Sequence, residues 1–140
     1  MNIITVIDDG GGLMFNHRRQ SQDRALRERV LALSDGSRLW MNAYSRRQFA
    51  DTESGSISVD EDFLQKAPDG DFCFVENVPL LPVVERVERV ILFRWNRAYP
   101  SDVKLDLDLS APPWNLAETV EFPGFSHEKI TQEVYVREET

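Results

Sequence analysis

Short apolar stretches alternate with polar, glycine-containing segments along the chain. Residues 3–7 form an apolar, β-branched run that predicts a strand, and the acidic, glycine-rich stretch 8–12 ends it. Farther along, Leu26, Val30 and Leu33 recur at the i, i+4, i+7 spacing of an amphipathic helix. The pattern therefore begins with a strand followed by a helix.

The start of this helix and the strand after it contain several candidate site residues. Ser21 stands where a helix cap is expected, and Asp23 falls in the first turn, where the helix dipole favours a carboxylate. Residues 38–44 alternate as in a second strand, which would place Trp40 and Tyr44 on the same face. A short helical turn is expected after this strand.

The rest of the pattern predicts more strands and one more short helix. In chain order the strands are expected at residues 57–59, 72–75, 87–95, 103–109, 118–122 and 130–137, with a short acidic helix over 60–64. The run 72–75 is apolar throughout, as in a strand buried on both faces. This order predicts an α/β protein with a mostly parallel central sheet, helices on both faces and an antiparallel C-terminal hairpin.

Length and composition narrow the class of protein. The chain has 140 residues, a formal charge of −8, a single cysteine (Cys73) and two histidines. One domain over residues 1–140 is expected at this length, with a core that needs neither disulfides nor metal. The lone cysteine argues against a disulfide framework or a cysteine-rich zinc site. Because we find neither a secretory signal nor a membrane-spanning apolar run, we expect a cytoplasmic protein without a membrane partner.

Charge is unevenly distributed along the chain. Residues 17–47 hold eight arginines against three carboxylates, whereas residues 101–140 hold nine carboxylates against three basic residues. Solvent-facing ion pairs explain such runs well. The alternative is an anion-binding face formed by Arg18, Arg19, Arg46 and Arg47, since a guanidinium suits phosphate and carboxylate groups. The acidic total argues against a general nucleic-acid partner.

The order of elements resembles that of dihydrofolate reductase. The stretches that carry the resemblance are residues 3–7 with Asn16 (first strand and active-site loop), the helix near Ser21 (substrate helix), 38–44 (the strand before a GRxT motif), 72–77 (the strand ending in a Gly-Gly pair), 90–100, 114–118 and 133–138 (the final strands). The resemblance covers nearly the whole chain. It implies a dihydrofolate reductase-like, three-layer α/β/α fold.

The resemblance also gives Asp23 a candidate role. Asp23 lies near the position of the carboxylate that, in this family, supports protonation of the pterin ring, although stabilisation by the helix dipole is the more common reason for an acid in a first helical turn. Where the family has a threonine beside that carboxylate, this chain offers Arg97, which would hold Asp23 ionised if the two met. An ionised carboxylate is a poor proton donor, which argues against reductase chemistry.

The family's cofactor motifs are altered at three places. Glu76 and Asn77 replace the Gly-Gly pair and add a negative charge where phosphates would lie. The GRxT stretch corresponds to Asn42 through Ser45, of which only Ser45 keeps a comparable hydroxyl. The connection 51–56 is shorter than the family's adenosine-binding region. We therefore expect that the NADPH site is lost and that no cofactor is bound.

Other chemistry finds less support in the sequence. Neither His17 nor His127 lies near a GxSxG elbow, so no Ser-His-Asp set is expected, and His127 is placed in an exposed hairpin loop. The acidic stretches at 8–9 and 60–62 are explained by turns and helix caps rather than a metal site. Cys73 is expected to be an inert core residue.

Together these patterns favour a dihydrofolate reductase-like protein without reductase activity. Its remnant substrate cleft, lined by Asp23, Trp40, Tyr44 and Arg97, would bind a flat heterocyclic or anionic small molecule. Two alternatives stay open: an interaction module that uses residues 17–47 for an anionic or nucleic-acid partner, and an active NADPH-dependent reductase with an altered cofactor site. An exposed strand edge would also allow a homodimer.

Overall fold

A computed structural model describes residues 1–52 and 55–138 of the chain. In this part of the chain the strands are β1 (Asn2–Ile7), β2 (Gly12–Phe15), β3 (Arg18–Arg19), β4 (Leu39–Met41), β5 (Ile57–Val59), β6 (Phe72–Phe74), β7 (Arg89–Arg94), β8 (Val103–Lys104), β9 (Trp114–Phe122) and β10 (Ile130–Arg137). The α-helices are α1 (Arg24–Leu33), α2 (Ala43–Arg46) and α3 (Phe63–Lys66). Two 3-10 helices follow α2 and β6, at Arg47–Phe49 and Leu81–Arg86.

Seven strands form the main sheet in the order β5-β4-β6-β1-β7-β10-β9. The pairs from β5 to β7 are parallel, whereas β10 runs antiparallel to both β7 and β9. The predicted parallel sheet with an antiparallel C-terminal hairpin is therefore confirmed. A smaller sheet of β3, β2 and β8 lies beside it, and the sequence pattern did not predict β2 and β3.

Apolar side chains cover both faces of the main sheet. Alternate residues of β1 contribute to separate core clusters, with Ile3 in one and Ile4 in the other. Helix α1 buries Leu26 against the Ile4 cluster, and α3 buries Phe63 against the Ile3 cluster. A strand covered on both faces has no polar side to alternate with, which explains the continuous apolar run around Cys73.

Helix α1 begins later than predicted because Asp23, rather than Ser21, is its N-cap. Asp23 has an extended backbone (φ −153°, ψ 133°), and its carboxylate accepts hydrogen bonds from the amides of Ala25 and Leu26 at 2.8 and 3.3 Å. A carboxylate in this position satisfies amides that have no partner within the helix. The prediction that Ser21 caps the helix was wrong.

The strand predicted over 38–44 is also shorter than expected. It ends at Met41 because the side chain of Asn42 accepts a hydrogen bond from the Ser45 amide at 3.0 Å and thereby starts α2. Tyr44 lies on this helix rather than on the strand. Trp40 and Tyr44 therefore do not share a strand face.

Only the first two residues of the strand predicted over 103–109 form a strand. The side chain of Asp106 instead accepts hydrogen bonds from the amides of Leu80 and Leu81 at 2.9–3.0 Å. Leu107 and Leu109 are still buried in the core. The alternation of Leu and Asp thus reflects burial of the leucine side chains, not pairing with another strand.

Two other expectations concern short segments of the chain. The polar connection predicted over 51–56 includes residues 53 and 54, which lie outside the described residues. Cys73 is fully buried, which confirms its placement in the core. No helix in the described part of the chain is long and apolar enough to cross a membrane.

Candidate functional site

Two polar clusters lie where the parallel strands β1, β6 and β7 reach their carboxyl ends, the edge at which open α/β sheets commonly bind ligands. The members of the Asp23 cluster are Ser21, Asp23, Tyr99, Ser126 and His127. The members of the Glu76 cluster are Arg19, Tyr44, Ser45, Gln48 and Glu76. Ser21 of the first cluster and Glu76 of the second both line a cavity of about 10 Å³, which holds about one water molecule.

The carboxylate of Asp23 is almost fully buried and accepts hydrogen bonds from two directions. Besides the two helix amides, it accepts from the amides of Phe125 and Ser126 at 3.0 and 2.8 Å. His127 Nδ1 lies 2.9 Å from Oδ2 of Asp23. Burial opposes ionisation of this carboxyl, but the hydrogen bonds outweigh it and hold the pKa of Asp23 well below its usual value.

His127 is buried, with 6% of its surface exposed, so the expectation of an exposed loop histidine was wrong. Its Nε2 lies 2.9 Å from Ser21 Oγ and 3.4 Å from the hydroxyl of Tyr99. The Trp95 ring stacks on the imidazole, with a distance of 4.5 Å between ring centroids. The loop between β9 and β10 folds onto the start of α1 because the Asp23 carboxylate binds the amides of that loop.

The sequence did not indicate this association. His127 follows Asp23 by 104 residues along the chain, and nothing local to either residue specifies the contact. The only local signal was the pairing of Ser21 and Asp23 just before a helix. The expectation that no Ser-His-Asp arrangement occurs is thus contradicted by the geometry.

Glu76 follows β6 and is also buried, with 9% of its surface exposed. Arg19 binds it through two nitrogens, with Nε 2.8 Å from Oε2 and Nη2 3.1 Å from Oε1. Ser45 Oγ and Gln48 Nε2 also donate to this carboxylate, at 2.8 and 3.2 Å. The Arg19 guanidinium lies over the Tyr44 ring, 4.6 Å from its centroid.

A comparison with solved structures identifies the architecture. A dihydrofolate reductase from Enterococcus faecalis, solved in complex with NADP(H) and RAB-propyl, matches 99% of this chain and 96% of its own chain with a TM-score of 0.71. This chain has a dihydrofolate reductase-like fold. The two sequences are 8% identical, so the likeness concerns the fold alone. Neither a family model nor a curated protein sequence matches the chain.

Within this dihydrofolate reductase-like fold, the residues expected to line the substrate cleft lie apart. The Trp40 indole donates a hydrogen bond to Asp71, which precedes β6, at 3.0 Å. Tyr44 belongs to the Glu76 cluster. Arg97 is exposed and lines a depression beside Lys129. The side chain that contacts Asp23 is the imidazole of His127, not the guanidinium of Arg97.

The arginines of residues 17–47 do not form one free patch. Arg19 is bound to Glu76, and Arg24 pairs with Glu28 at 3.2 Å. Arg46 donates to the carbonyl oxygens of Phe49 and Thr52. Arg18 and Arg47 are exposed. The anion-binding face expected from four arginines is therefore divided between inward-facing and outward-facing side chains.

A groove of about 310 Å³ opens beside the two clusters. Its walls include the aromatic rings of Phe15 and Tyr99, together with Arg18, Gln20 and Pro100. Phe15 is 48% exposed although it is a large apolar residue. The volume falls within the range of small-molecule sites.

The carboxylates of the two clusters accept hydrogen bonds from protein groups and are not arranged as ligands of a metal ion. Among the described residues, no set of three or more His, Cys, Asp and Glu side chains is placed to hold a metal ion. The acidic loop after β1 is held in the same way, because Asp8 accepts hydrogen bonds from the amides of Gly10, Gly12 and Tyr99 at 2.7–3.0 Å.

Proposed function

We propose that this protein binds a flat, negatively charged small molecule in the groove between Phe15 and Tyr99 and does not catalyse dihydrofolate reduction. The observation that carries the proposal is the contrast between two spaces at this edge of the sheet. The cavity between the polar clusters holds about one water, whereas the groove outside them measures about 310 Å³.

The groove walls suit such a ligand chemically. The rings of Phe15 and Tyr99 offer apolar faces against which a planar ring can pack. Arg18 is exposed at the same groove, where its guanidinium can form charge-assisted hydrogen bonds with a carboxylate or phosphate. An aromatic ring carrying one anionic group matches both features.

The residues at the end of β6 and the start of α2 do not fit the phosphates of NADPH. Glu76 places a buried carboxylate there, and Ser45 donates its hydroxyl to this carboxylate. The first amides of α2 are also engaged, with the Ala43 amide bound to Glu61 at 2.9 Å and the Ser45 amide bound to Asn42. A phosphate would therefore meet a carboxylate and a set of donors, Arg19 among them, that are already bound to each other.

Asp23 is poorly suited to supply a proton to a pterin ring. Its two oxygens accept hydrogen bonds from amides of α1, from two loop amides and from the Ser126 hydroxyl, all of which favour the ionised form. An acid held in this form binds a proton too weakly to act as a general acid near neutral pH.

Thermal unfolding with folic acid, dihydrofolate, AMP, NADPH and inorganic phosphate tests the proposal. A ligand at 100 times its Kd stabilises the folded state by about 2.7 kcal/mol, which raises Tm by several degrees. We expect such a rise with a folate or AMP, and a much smaller one with phosphate alone.

Matched variants locate the binding site. Arg18→Gln and Phe15→Ala are expected to remove the ligand-induced rise in Tm, whereas Arg47→Gln, which removes an exposed arginine outside the groove, should retain it. A rise with NADPH that persists in Arg18→Gln, together with NADPH oxidation in the presence of dihydrofolate, would refute the proposal.

A further inference from the structure

Ser21, His127 and Asp23 form one continuous chain of polar contacts. Ser21 Oγ lies 2.9 Å from His127 Nε2, and His127 Nδ1 lies 2.9 Å from Asp23 Oδ2. A hydroxyl, an imidazole and a carboxylate connected in this order are the arrangement by which a serine nucleophile is activated on several unrelated folds. Such a set is recognised by geometry rather than by order in the sequence.

The hydrogen-bonding capacity of Asp23 determines the direction of proton donation. An ionised carboxylate can only accept hydrogen bonds, so Nδ1 of His127 must carry the proton that faces Asp23. The neutral imidazole then has its lone pair on Nε2. Ser21 Oγ therefore donates to Nε2, which is the orientation that a general base requires.

Rigid contacts hold the imidazole in this orientation. The indole of Trp95 stacks against one face of the ring. The amides of Phe125 and Ser126 bind Asp23 just before His127 in the chain, so the loop and the carboxylate are fixed together. The imidazole is therefore already held in the orientation that the reaction requires before a substrate binds.

Tyr99 supplies a hydrogen-bond donor beside the serine. Its hydroxyl lies 3.4 Å from His127 Nε2, farther than Ser21 Oγ, and the single lone pair of Nε2 is taken by the closer donor. The Tyr99 hydroxyl can therefore turn toward the oxygen of a substrate carbonyl held next to Ser21. A donor in this position stabilises the negative charge that develops there.

The surroundings of Ser21 provide access and water. Ser21 is half-buried, and it lines the cavity of about 10 Å³ that holds about one water molecule. Tyr99 lines the groove of about 310 Å³. The cavity and the groove thus each have one wall residue, Ser21 and Tyr99 respectively, whose hydroxyl lies near His127 Nε2.

We propose that Ser21, His127 and Asp23 form a catalytic triad that hydrolyses small carboxylic esters, with Tyr99 as the donor to the carbonyl oxygen. Ser21 Oγ attacks the carbonyl carbon while its proton passes to His127 Nε2. The C–O bond to the alcohol then breaks, and the departing oxygen takes the proton from Nε2, which leaves an acyl group on Ser21.

Hydrolysis of this acyl group completes the cycle. Water attacks the acyl carbon while giving a proton to His127 Nε2, the bond to Ser21 Oγ breaks, and Oγ recovers the proton. The sum is ester plus water giving acid plus alcohol. Asp23 stays ionised throughout and stabilises the transient imidazolium.

Labelling with a fluorophosphonate probe tests the nucleophile directly in the full-length protein. The serine oxygen forms a bond to phosphorus and fluoride leaves, so the intact mass rises by the mass of one phosphonyl group. We expect a single adduct, located on Ser21 by peptide mapping. Ser21→Ala should show no adduct, whereas Ser58→Ala, which removes a hydroxyl on β5 at the opposite edge of the sheet, should be labelled normally.

Hydrolysis of p-nitrophenyl acetate gives an independent measure. Ser21→Ala and His127→Gln should each reduce the protein-catalysed rate by about 100-fold or more, and Tyr99→Phe by about 100-fold. Thermal unfolding of each variant verifies that it is folded. The absence of an adduct in the native protein, or an adduct retained in folded Ser21→Ala, would overturn the proposal. Neither measurement depends on whether Arg18 binds an anionic ligand.

Discussion

The carboxylate of Asp23 connects two parts of the chain that are distant in sequence. It accepts hydrogen bonds from the first amides of α1 and from the loop that precedes β10. Both sets of donors favour the ionised carboxylate. The charge of this one side chain therefore contributes to helix initiation, to closure of the hairpin loop and to the orientation of His127.

The pH dependence of stability follows from the lowered pKa of Asp23. The usual value is 3.8, and the folded state holds the carboxyl well below it. A group of this kind stabilises the folded state fully above its unfolded-state pKa, and the contribution is lost as pH falls below that value toward the folded-state pKa. We expect the free energy of unfolding, measured with urea, to fall between pH 5 and pH 3.

Replacement of Asp23 isolates its share of this pH dependence. Asp23→Asn keeps a good helix cap but removes the charge, so stability should be lower at pH 7 and should change less between pH 5 and pH 3. Asp69→Asn, which alters an exposed carboxylate in a turn, serves as the control. An unchanged pH profile in Asp23→Asn would show that other carboxyl groups dominate acid unfolding.

The pair of Arg19 and Glu76 is largely buried, with relative exposures of 20% and 10% for the two side chains. Glu76→Ala leaves a poorly solvated guanidinium without its partner and is expected to cost about 3 kcal/mol in urea unfolding. The double variant Arg19→Met, Glu76→Leu removes both charges and should be more stable than Glu76→Ala. If the loss in the double variant instead equals the sum of the losses in Arg19→Met and Glu76→Leu, the pair contributes no coupling energy.

At the scale of elements, the hairpin loop before β10 depends on a glycine. A Cβ at Gly124 would lie 2.7 Å from the carbonyl oxygen of His127 and 2.8 Å from Oδ2 of Asp23. Gly124→Ala is expected to destabilise the protein by about 1–3 kcal/mol through steric overlap. Gly10→Ala is the matched control, because its Cβ would meet Asp8 at an ordinary distance of 3.6 Å. Equal Tm values for the two variants would contradict this close packing.

The elements that sequence periodicity predicted well are those whose side chains enter the core. Strands β5 (Ile57–Val59) and β10 (Ile130–Arg137) were both predicted with their observed bounds. The strand ends that were predicted wrongly lie where a side chain forms hydrogen bonds with the backbone, because a hydropathy pattern carries no information about hydrogen bonds. Asn42 ends β4 by capping α2. Asp106 binds two backbone amides in a segment where apolar and acidic residues alternate as they do in a strand.

At the scale of the molecule, the fold and the site differ in how far the sequence predicts them. A dihydrofolate reductase-like fold is reached at 8% identity because many different apolar residues can fill both faces of the sheet. The candidate site depends instead on contacts between particular residues that are distant in the sequence. Asp23 and Glu76 were singled out from the sequence, but His127 and Arg19 were not paired with them, since those contacts exist only after the sheet has assembled.

Cys73 provides a probe of the stability of the whole molecule, because it lies on the strand between β1 and β4 and is fully buried. Burial raises the pKa of its thiol to about 12, so the native protein presents little reactive thiolate at pH 8. We expect the thiol to react with 5,5′-dithiobis(2-nitrobenzoate) at least about 1,000-fold more slowly in the native protein than in urea-unfolded protein, since reaction requires global opening. Ligands that raise Tm should slow it further, and Cys73→Ser should abolish it. Reaction at the rate of the unfolded chain while the circular dichroism spectrum remains native would show that the centre of the sheet opens locally.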